Sequence, residues 1–240
     1  MERVNVSSYN YVGKELEVFE QAVNWKAYWF SKITNYIQGD VLEVGAGIGA
    51  NVSLLSRSSN RKLTFIEPDP AQCRLLKLKT KNLQNPSEII NGTLKAINGE
   101  CKYDCILYID VLEHIEQDHL EFKSASRLLR PGGHLIVLCP AFNFLFNPFD
   151  QTVGHFRRYN KKMYHALPQA NLEIVSISYL DSVGFFASLI NKFILKSEIP
   201  TSMQIMFWDK FLVNFSKRID FFLSNLLGKS ILGVWKKSKI

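Results

Sequence analysis

Thiols are sparse in this chain. Its four cysteines stand at positions 73, 101, 105 and 139. None forms a Cys-x-x-Cys pair and no partnered histidine spacing accompanies them, so no zinc or other metal site is expected. Cys105 and Cys139 fall in apolar runs that read as strands, where a free cysteine behaves as a small hydrophobe. Reduced thiols in a cytoplasmic protein are the expectation. The sequence also lacks any uncharged run of about 18 apolar residues, which argues against a spanning helix. Its opening, MERVNVSSYN, has no apolar stretch of the kind a signal peptide carries. Internal repeats and low-complexity tracts are absent.

What is present is a chain of 240 residues, 47% of them hydrophobic. That is enough for a sizeable core and close to the upper size for one domain. One domain over 1–240 with a decorated end is expected. The net charge of +7 is unevenly placed. Residues 1–150 hold 16 Lys/Arg against 17 Asp/Glu, whereas residues 151–240 hold 13 against 5. The basic excess therefore sits in the last third, which points either to an anionic partner there or to a solvated basic face.

Residues 14–37 read as a helix, with Leu16, Phe19, Val23, Ala27, Phe30, Ile33 and Ile37 at three- and four-residue steps. Short apolar runs follow at 41–44, 63–66, 88–90, 104–109 and 134–139. Helical patterns separate them at 49–57, 70–81, 112–117 and 119–129. This alternation implies a parallel sheet covered on both faces. The segment from Leu129 to His134 reads as a sharp turn before the fifth strand. Beyond residue 140 an aromatic, polar loop runs to Tyr159, then a short helix near 161–167 and a strand at 172–180. A last strand is expected at 230–235.

The strongest motif is Val41-Leu-Glu-Val-Gly-Ala-Gly-Ile-Gly49. A strand ends in an acidic residue, and glycines then turn the chain into a helix where backbone must pass close to a ligand. The third glycine comes one residue too soon for the dinucleotide fingerprint, which argues against NAD. In Phe65-Ile-Glu-Pro-Asp-Pro70, Glu67 ends the second strand, where a carboxylate is placed to accept hydrogen bonds from ribose hydroxyls.

With these motifs in this order, residues 40–140 resemble the class I S-adenosylmethionine (SAM)-dependent methyltransferases. The resemblance implies a Rossmann-like α/β fold: a seven-stranded sheet whose last strand is antiparallel, with an N-terminal helical segment over 1–39. It implies SAM as cofactor, contacted by Glu43, Gly45, Ala46, Gly47, Gly49, Glu67 and Pro68. Asn91-Gly-Thr-Leu94 lies where the family meets adenine, and Thr93 and Leu94 are carried over for that contact. The family often has an Asp there, and this chain offers Asn91 and Thr93 instead. Tyr108-Ile-Asp-Val-Leu-Glu-His114 resembles the motif after strand 4 of the small-molecule branch, which places Asp110 at the methionine end. Leu128-Leu-Arg-Pro-Gly-Gly-His-Leu-Ile-Val137 is similar to the family's turn into strand 5. His114 reads as a helix residue packed at a strand end, and His119 and His134 as structural or surface residues.

Asp150-Gln-Thr-Val-Gly-His-Phe-Arg-Arg-Tyr-Asn160 follows strand 5, at the carboxyl edge where open α/β folds bind ligands. It resembles a Gly-His-x-Arg-Arg-Tyr block of a bacterial subgroup associated with membrane-linked sugar pathways, as does Asn24-Trp25 ahead of the glycine motif. His155 has the pKa range to accept a proton and is the candidate catalytic residue. Arg157, Arg158 and Tyr159 are the candidate substrate-binding residues, the arginines suiting a phosphate or carboxylate. The alternative is that the block pins its own loop, with an arginine pairing to Asp150.

About 45 residues separate the strands at 172–180 and 230–235, where a hairpin needs only a few. Residues 184–227 therefore read as a helical insert in the substrate-side region 141–240. Trp208, Phe211, Leu212, Phe215, Ile219, Phe222, Leu223 and Leu226 form one apolar stripe, widened by Phe207, Val213 and Phe221. The stripe either walls an acceptor pocket or lies in a membrane interface, which suits the flanking Lys210, Lys217 and Arg218. The expected function is methyl transfer to an O, N or C atom of a small or lipid-linked acceptor. The rivals are a natural-product methyltransferase, a non-catalytic protein of the same fold and an RNA methyltransferase. No RNA-binding module is recognisable, so no specific nucleic-acid partner is expected.

Overall fold

A computed structural model describes residues 15–57, 60–168, 171–192 and 201–239. Seven strands form one sheet: β1 (Gly39–Val44), β2 (Asn60–Glu67), β3 (Ser87–Asn91), β4 (Tyr103–Ile109), β5 (Leu129–Pro140), β6 (Leu172–Leu180) and β7 (Ser230–Lys237). Their spatial order is β3-β2-β1-β4-β5-β7-β6. The first five are mutually parallel, and β7 runs antiparallel to both β5 and β6. This is the expected seven-stranded, Rossmann-like methyltransferase sheet.

The central strands are apolar throughout because both of their faces are buried. Val41, Leu107 and Ile136 enter one core cluster, while their neighbours Leu42, Ile106 and Leu135 enter the other. The first face is covered by α1 (Glu15–Glu20), α2 (Val23–Ile33) and the insert, through Trp25, Trp29, Ile205, Trp208 and Val213. The second is covered by α5 (Asp118–Leu128) and α7 (Lys161–Ala166), where Phe122 and Tyr164 pack on Trp235. The strand order reverses between β1 and β4, and a crevice opens beyond their carboxyl ends.

Local details differ from the sequence reading. The expected helix over 14–37 breaks at Gln21–Ala22, and residue 14 lies outside the described residues. After the glycine loop only α3 (Val52–Leu55) is helical, the helix expected over 70–81 is α4 (Pro70–Thr80), and 112–117 supplies a single 3₁₀ turn, Leu112–His114. The sharp turn expected at Leu129–His134 is strand: β5 already begins at Leu129 and shifts register against β4 between Tyr103 and Cys105. Arg130 ties this irregularity down by bridging Asp40 at 2.8 Å and Asp104 at 2.6 Å.

The insert holds α8 (Ser182–Ile190), α9 (Ser202–Phe207), a π-helical turn (Trp208–Leu212) and α10 (Val213–Phe222). Its residues 193–200 lie outside the described residues. The expected stripe does not face the core. Trp208 is buried and Leu212 half-buried, but Phe211, Phe215, Ile219, Phe222, Leu223 and Leu226 are exposed. The inward line is Ile205, Trp208, Val213, Ser216 and Asp220. A π turn adds a residue to the helical repeat and so rotates the phase of everything after it.

Three buried carboxylates fasten the insert. Asp209 accepts the amides of Asn24 at 3.1 Å and Trp25 at 2.7 Å, capping α2 from a distant element. Asp220 accepts the Tyr28 hydroxyl at 2.8 Å and the amides of Asp181 and Ser182 at 2.7 and 2.9 Å. Asp181 accepts the Trp208 indole N–H at 2.7 Å and the Ser216 hydroxyl at 2.6 Å.

Candidate active site

A cavity of about 840 Å³ lies over the carboxyl ends of β1, β4 and β5, roofed by α1 and the insert. It joins two groups of residues in one space. On one side lies the loop after β1, and on the other lie Asp110, Glu113, His114, Asp150, His155, Arg158 and Lys229.

The loop folds as it does because its glycines adopt the left-handed backbone region. A Cβ on Gly45, whose φ is 66°, would stand 2.6 Å from Cγ2 of Val111. Gly47 carries its amide to Oε2 of Glu67 at 2.8 Å, and Oε1 of Glu67 takes the Asp69 amide at 2.9 Å. The Glu67 carboxylate therefore staples the loop to the end of β2, and each oxygen retains a further lone-pair site. Burial raises its pKa, against the lowering effect of the two amides. Glu43 lies behind the loop and accepts from Asn51 Nδ2 at 2.7 Å, while its Oε2 has no hydrogen-bond partner among the described residues. Burial pushes the Glu43 carboxyl up to about 7, opposed by Asn51 and reinforced by Glu67.

Of the expected cofactor residues, Gly45, Ala46, Gly47 and Asp110 line the cavity, and Glu43, Gly49, Glu67, Pro68, Thr93 and Leu94 do not. Leu94 belongs to the core on the far face of the sheet. Asn91 directs its amide to the carbonyls of Glu67 and Pro68, at 2.9 and 3.0 Å. Asp110 sits at the end of β4 with φ of 53°, a strained position for a non-glycine residue, and opens toward the cavity. The surrounding protein raises its carboxyl to about 6, against the pull of His155 and Lys229.

On the acceptor side, α6 (Pro148–Thr152) starts with an Asn147 capping box that fixes Asp150, which is fully buried. Asp150 accepts from His155 Nδ1 at 2.7 Å and takes the Arg158 guanidinium as a fork, with Nη2 at 2.7 Å and Nε at 2.9 and 3.0 Å. Burial acts to raise the Asp150 carboxyl, but the bonds from His155 and Arg158 outweigh it and hold the pKa below the usual range. His155 Nε2 points toward Glu113, with Oε1 at 3.9 Å. The His114 ring packs edge-on against that of His155, with centroids 4.5 Å apart, and is held by the backbone of Gly154 and Val153. Burial, then the neighbouring His155, lowers its pKa to about 4.

Two of the candidate substrate residues bond the protein itself. Arg157 binds the carbonyls of Ile115 and Glu116, both at 2.8 Å, and Asp118 at 2.9 Å. Tyr159 is fully buried, donating to Asp118 at 2.7 Å. Both side chains pin the loop to the turn after β4, and neither residue lines the cavity. Arg158 pairs with Asp150, as the loop-pinning alternative supposed, although its buried Nη1 has no partner among the described residues and it lines the cavity.

The sequence reading missed Glu113 and Lys229. Lys229 precedes β7 and places its ammonium 4.4 Å above the Trp208 ring. Burial lowers its pKa, opposed by Asp181 and assisted by Arg158. The only sequence signal for it is a lysine entering a strand paired to β5.

A methyltransferase domain family matches residues 21–181. Demethylmenaquinone methyltransferase from Tropheryma whipplei is 28% identical over 120 residues, covering 50% of this chain and 49% of that protein. The chain thus aligns with about half the length of that relative. Among solved structures, an S-adenosylmethionine-dependent methyltransferase from Mesorhizobium loti superposes with a TM-score of 0.62 at 11% identity, over 92% of this chain and 100% of that one. Coclaurine N-methyltransferase bound to N-methylheliamine and S-adenosylhomocysteine gives 0.60 at 15% identity, over 90% and 72%. At these identities the structural likeness is one of fold.

Proposed function

The chain belongs to the methyltransferase domain family, and from that premise we propose that it transfers a methyl group from SAM to an O, N or C atom of an amphipathic acceptor. The observation that carries the reading is the single cavity that runs from the Gly45–Gly47 loop to His155. The loop offers glycine backbone flush with the cavity, and Asp110 offers an open carboxylate to a cationic ligand. Glu67 retains lone pairs for ribose hydroxyls. This donor set fits SAM and not a pyrophosphate, because the third glycine of the loop comes one residue too soon for the Gly-x-Gly-x-x-Gly fingerprint.

SAM brings an activated methyl on a positively charged sulfur, so the protein contributes chiefly position and exclusion of water. His155, with Nδ1 held by Asp150, presents Nε2 to the acceptor side, where a proton leaving a hydroxyl or amine would be taken up. The aromatic walls Phe19, Trp25, Phe149 and Trp208 suit an apolar acceptor body.

The rim supports an acceptor presented by a lipid surface. Met203 and Phe207 line the cavity and yet are 80% and 56% exposed, and Phe221 and Phe222 near the end of α10 are 75% and 83% exposed. Lys210, Lys217 and Arg218 flank it. An outward apolar face bordered by cations is the arrangement of an interfacial helix. No described helix is long and apolar enough to cross a membrane.

A crystal structure with S-adenosylhomocysteine tests the reading. The adenosine is expected over β1 and β2 with the sulfur turned toward Asp110 and His155. A ligand bound elsewhere, or with its sulfur facing away from His155, overturns it.

A further inference from the structure

We propose that Glu113, His114 and His155 form a binding site for one divalent transition-metal ion on the acceptor side of the cavity. The three residues offer ligand atoms that all lie within 4.8 Å of one another. Glu113 is the informative member. It is fully buried, and the hydrogen-bond donors at its carboxyl among the described residues are its own backbone amide and the weak Cys139 thiol. A poorly paired buried carboxylate is costly, so such a group is paired, binds a metal or keeps its proton. The 3.9 Å between Glu113 Oε1 and His155 Nε2 is too long for a hydrogen bond. It lies a few tenths of an ångström beyond the roughly 3.3–3.6 Å that two ligands at about 2.0–2.2 Å keep in tetrahedral geometry, so a small inward rotation of either side chain would close it on a shared ion.

The surroundings are those of a supported ligand set. A metal-binding histidine donates its second ring N–H to a carboxylate or a backbone carbonyl, which fixes its tautomer and orientation. His155 has Asp150 in that position at 2.7 Å, and His114 has the backbone of Gly154 and Val153. Asp150 is itself fixed by the Arg158 fork. The titratable and charged groups facing the cluster are the carboxyls of Asp110, Glu113 and Asp150, the Arg158 guanidinium and the Lys229 amine.

Two imidazoles and one carboxylate suit zinc, iron, cobalt or manganese, with magnesium and calcium disfavoured by the nitrogens. Three protein ligands leave coordination positions open to the cavity, as in catalytic sites. For its consequence this inference rests on the methyl-transfer reading. An oxygen of the acceptor would complete the shell, and the ion would lower the pKa of a hydroxyl there. The acceptor would then be an oxygen nucleophile that gives its proton to solvent before attacking the methyl of SAM, S-adenosylhomocysteine would leave as the neutral thioether, and His155 would serve as a ligand in place of proton acceptor. Motif spacing gave no sign of this, because His114 and His155 come from loops after different strands.

Protein stripped with a chelator is titrated with Co²⁺ and followed by visible absorption and calorimetry. One saturable equivalent is expected, displaced by Zn²⁺, with Glu113→Gln and His155→Gln each weakening it by more than about 10-fold. SAM binding to the stripped protein and to both variants is measured alongside. Retained SAM binding shows that they are folded, and separates failure of the metal site from failure of the methyltransferase reading. Absence of a saturable equivalent in the wild type, or unchanged affinity in both variants, overturns the proposal. If a variant does not fold, the Co²⁺-loaded wild type decides by NMR. Two shifted, exchangeable imidazole N–H signals support the site, and none overturns it.

Discussion

His155 and Asp150 are joined by a 2.7 Å hydrogen bond at Nδ1, five residues apart on a loop that both leave buried or nearly so. The bond fixes which ring nitrogen faces the cavity. It also makes Asp150 the hub of the loop, because Arg158 closes on the same carboxylate.

Asp150→Ala is expected to destabilise the fold by about 3–5 kcal/mol, since it leaves the buried Arg158 charge uncompensated. Urea unfolding measures this, and a loss below 1 kcal/mol would contradict the hub role. The pH dependence follows from the lowered carboxyl. A depressed folded pKa contributes stability that is complete above the unfolded carboxyl value near ~3.9. That contribution is lost as pH falls through the folded value. The wild type should therefore lose stability more steeply than the variant below about pH 4.

Arg157→Ala should lower stability by about 1–3 kcal/mol through the loss of charge-assisted bonds to Ile115, Glu116 and Asp118. SAM affinity should stay unchanged, because the side chain touches only the loop and the turn after β4. Thermal unfolding beside calorimetry separates the two effects. A variant of wild-type stability with weakened SAM binding would return Arg157 to the ligand.

Why these arginines invited a substrate role is instructive. Paired cations after strand 5 look available in sequence, but Asp118 and Asp150, which consume them, are ordinary helix-start carboxylates by pattern. The strands were legible because Leu42, Ile106 and Leu135 and their alternating neighbours are buried on both faces. The glycine loop was legible because Gly45 has no room for a side chain beside Val111. The insert was not, for two reasons. The π turn at Trp208–Leu212 rotates the helical phase, so a 3.6-residue count misassigns the inward face. Its inward face also holds Ser216 and Asp220, polar residues that pattern reading sends to the surface.

Phe207→Ser with Phe221→Ser should abolish sedimentation with anionic vesicles while leaving the fold intact, because both rings are mostly exposed. Wild-type binding should weaken as salt rises, as screening of Lys210, Lys217 and Arg218 requires. A wild type that ignores vesicles at low salt would shift the acceptor toward a water-soluble molecule.

Glu67→Ala should weaken SAM binding by about 1.5–3 kcal/mol, the worth of hydrogen bonds to a charged group. The loop amide of Gly47 loses its acceptor in the same change. Unchanged affinity in calorimetry would show that the ribose is held elsewhere.

Calorimetric titration of the folded chain with SAM tests the central claim most directly, with Gly47→Arg as its control. Saturable one-to-one binding by the wild type is predicted. Its loss is predicted in Gly47→Arg, where the new side chain fills the cavity beside the loop while circular dichroism stays that of the wild type. No binding by the intact folded chain, or full binding by the variant, would contradict the account.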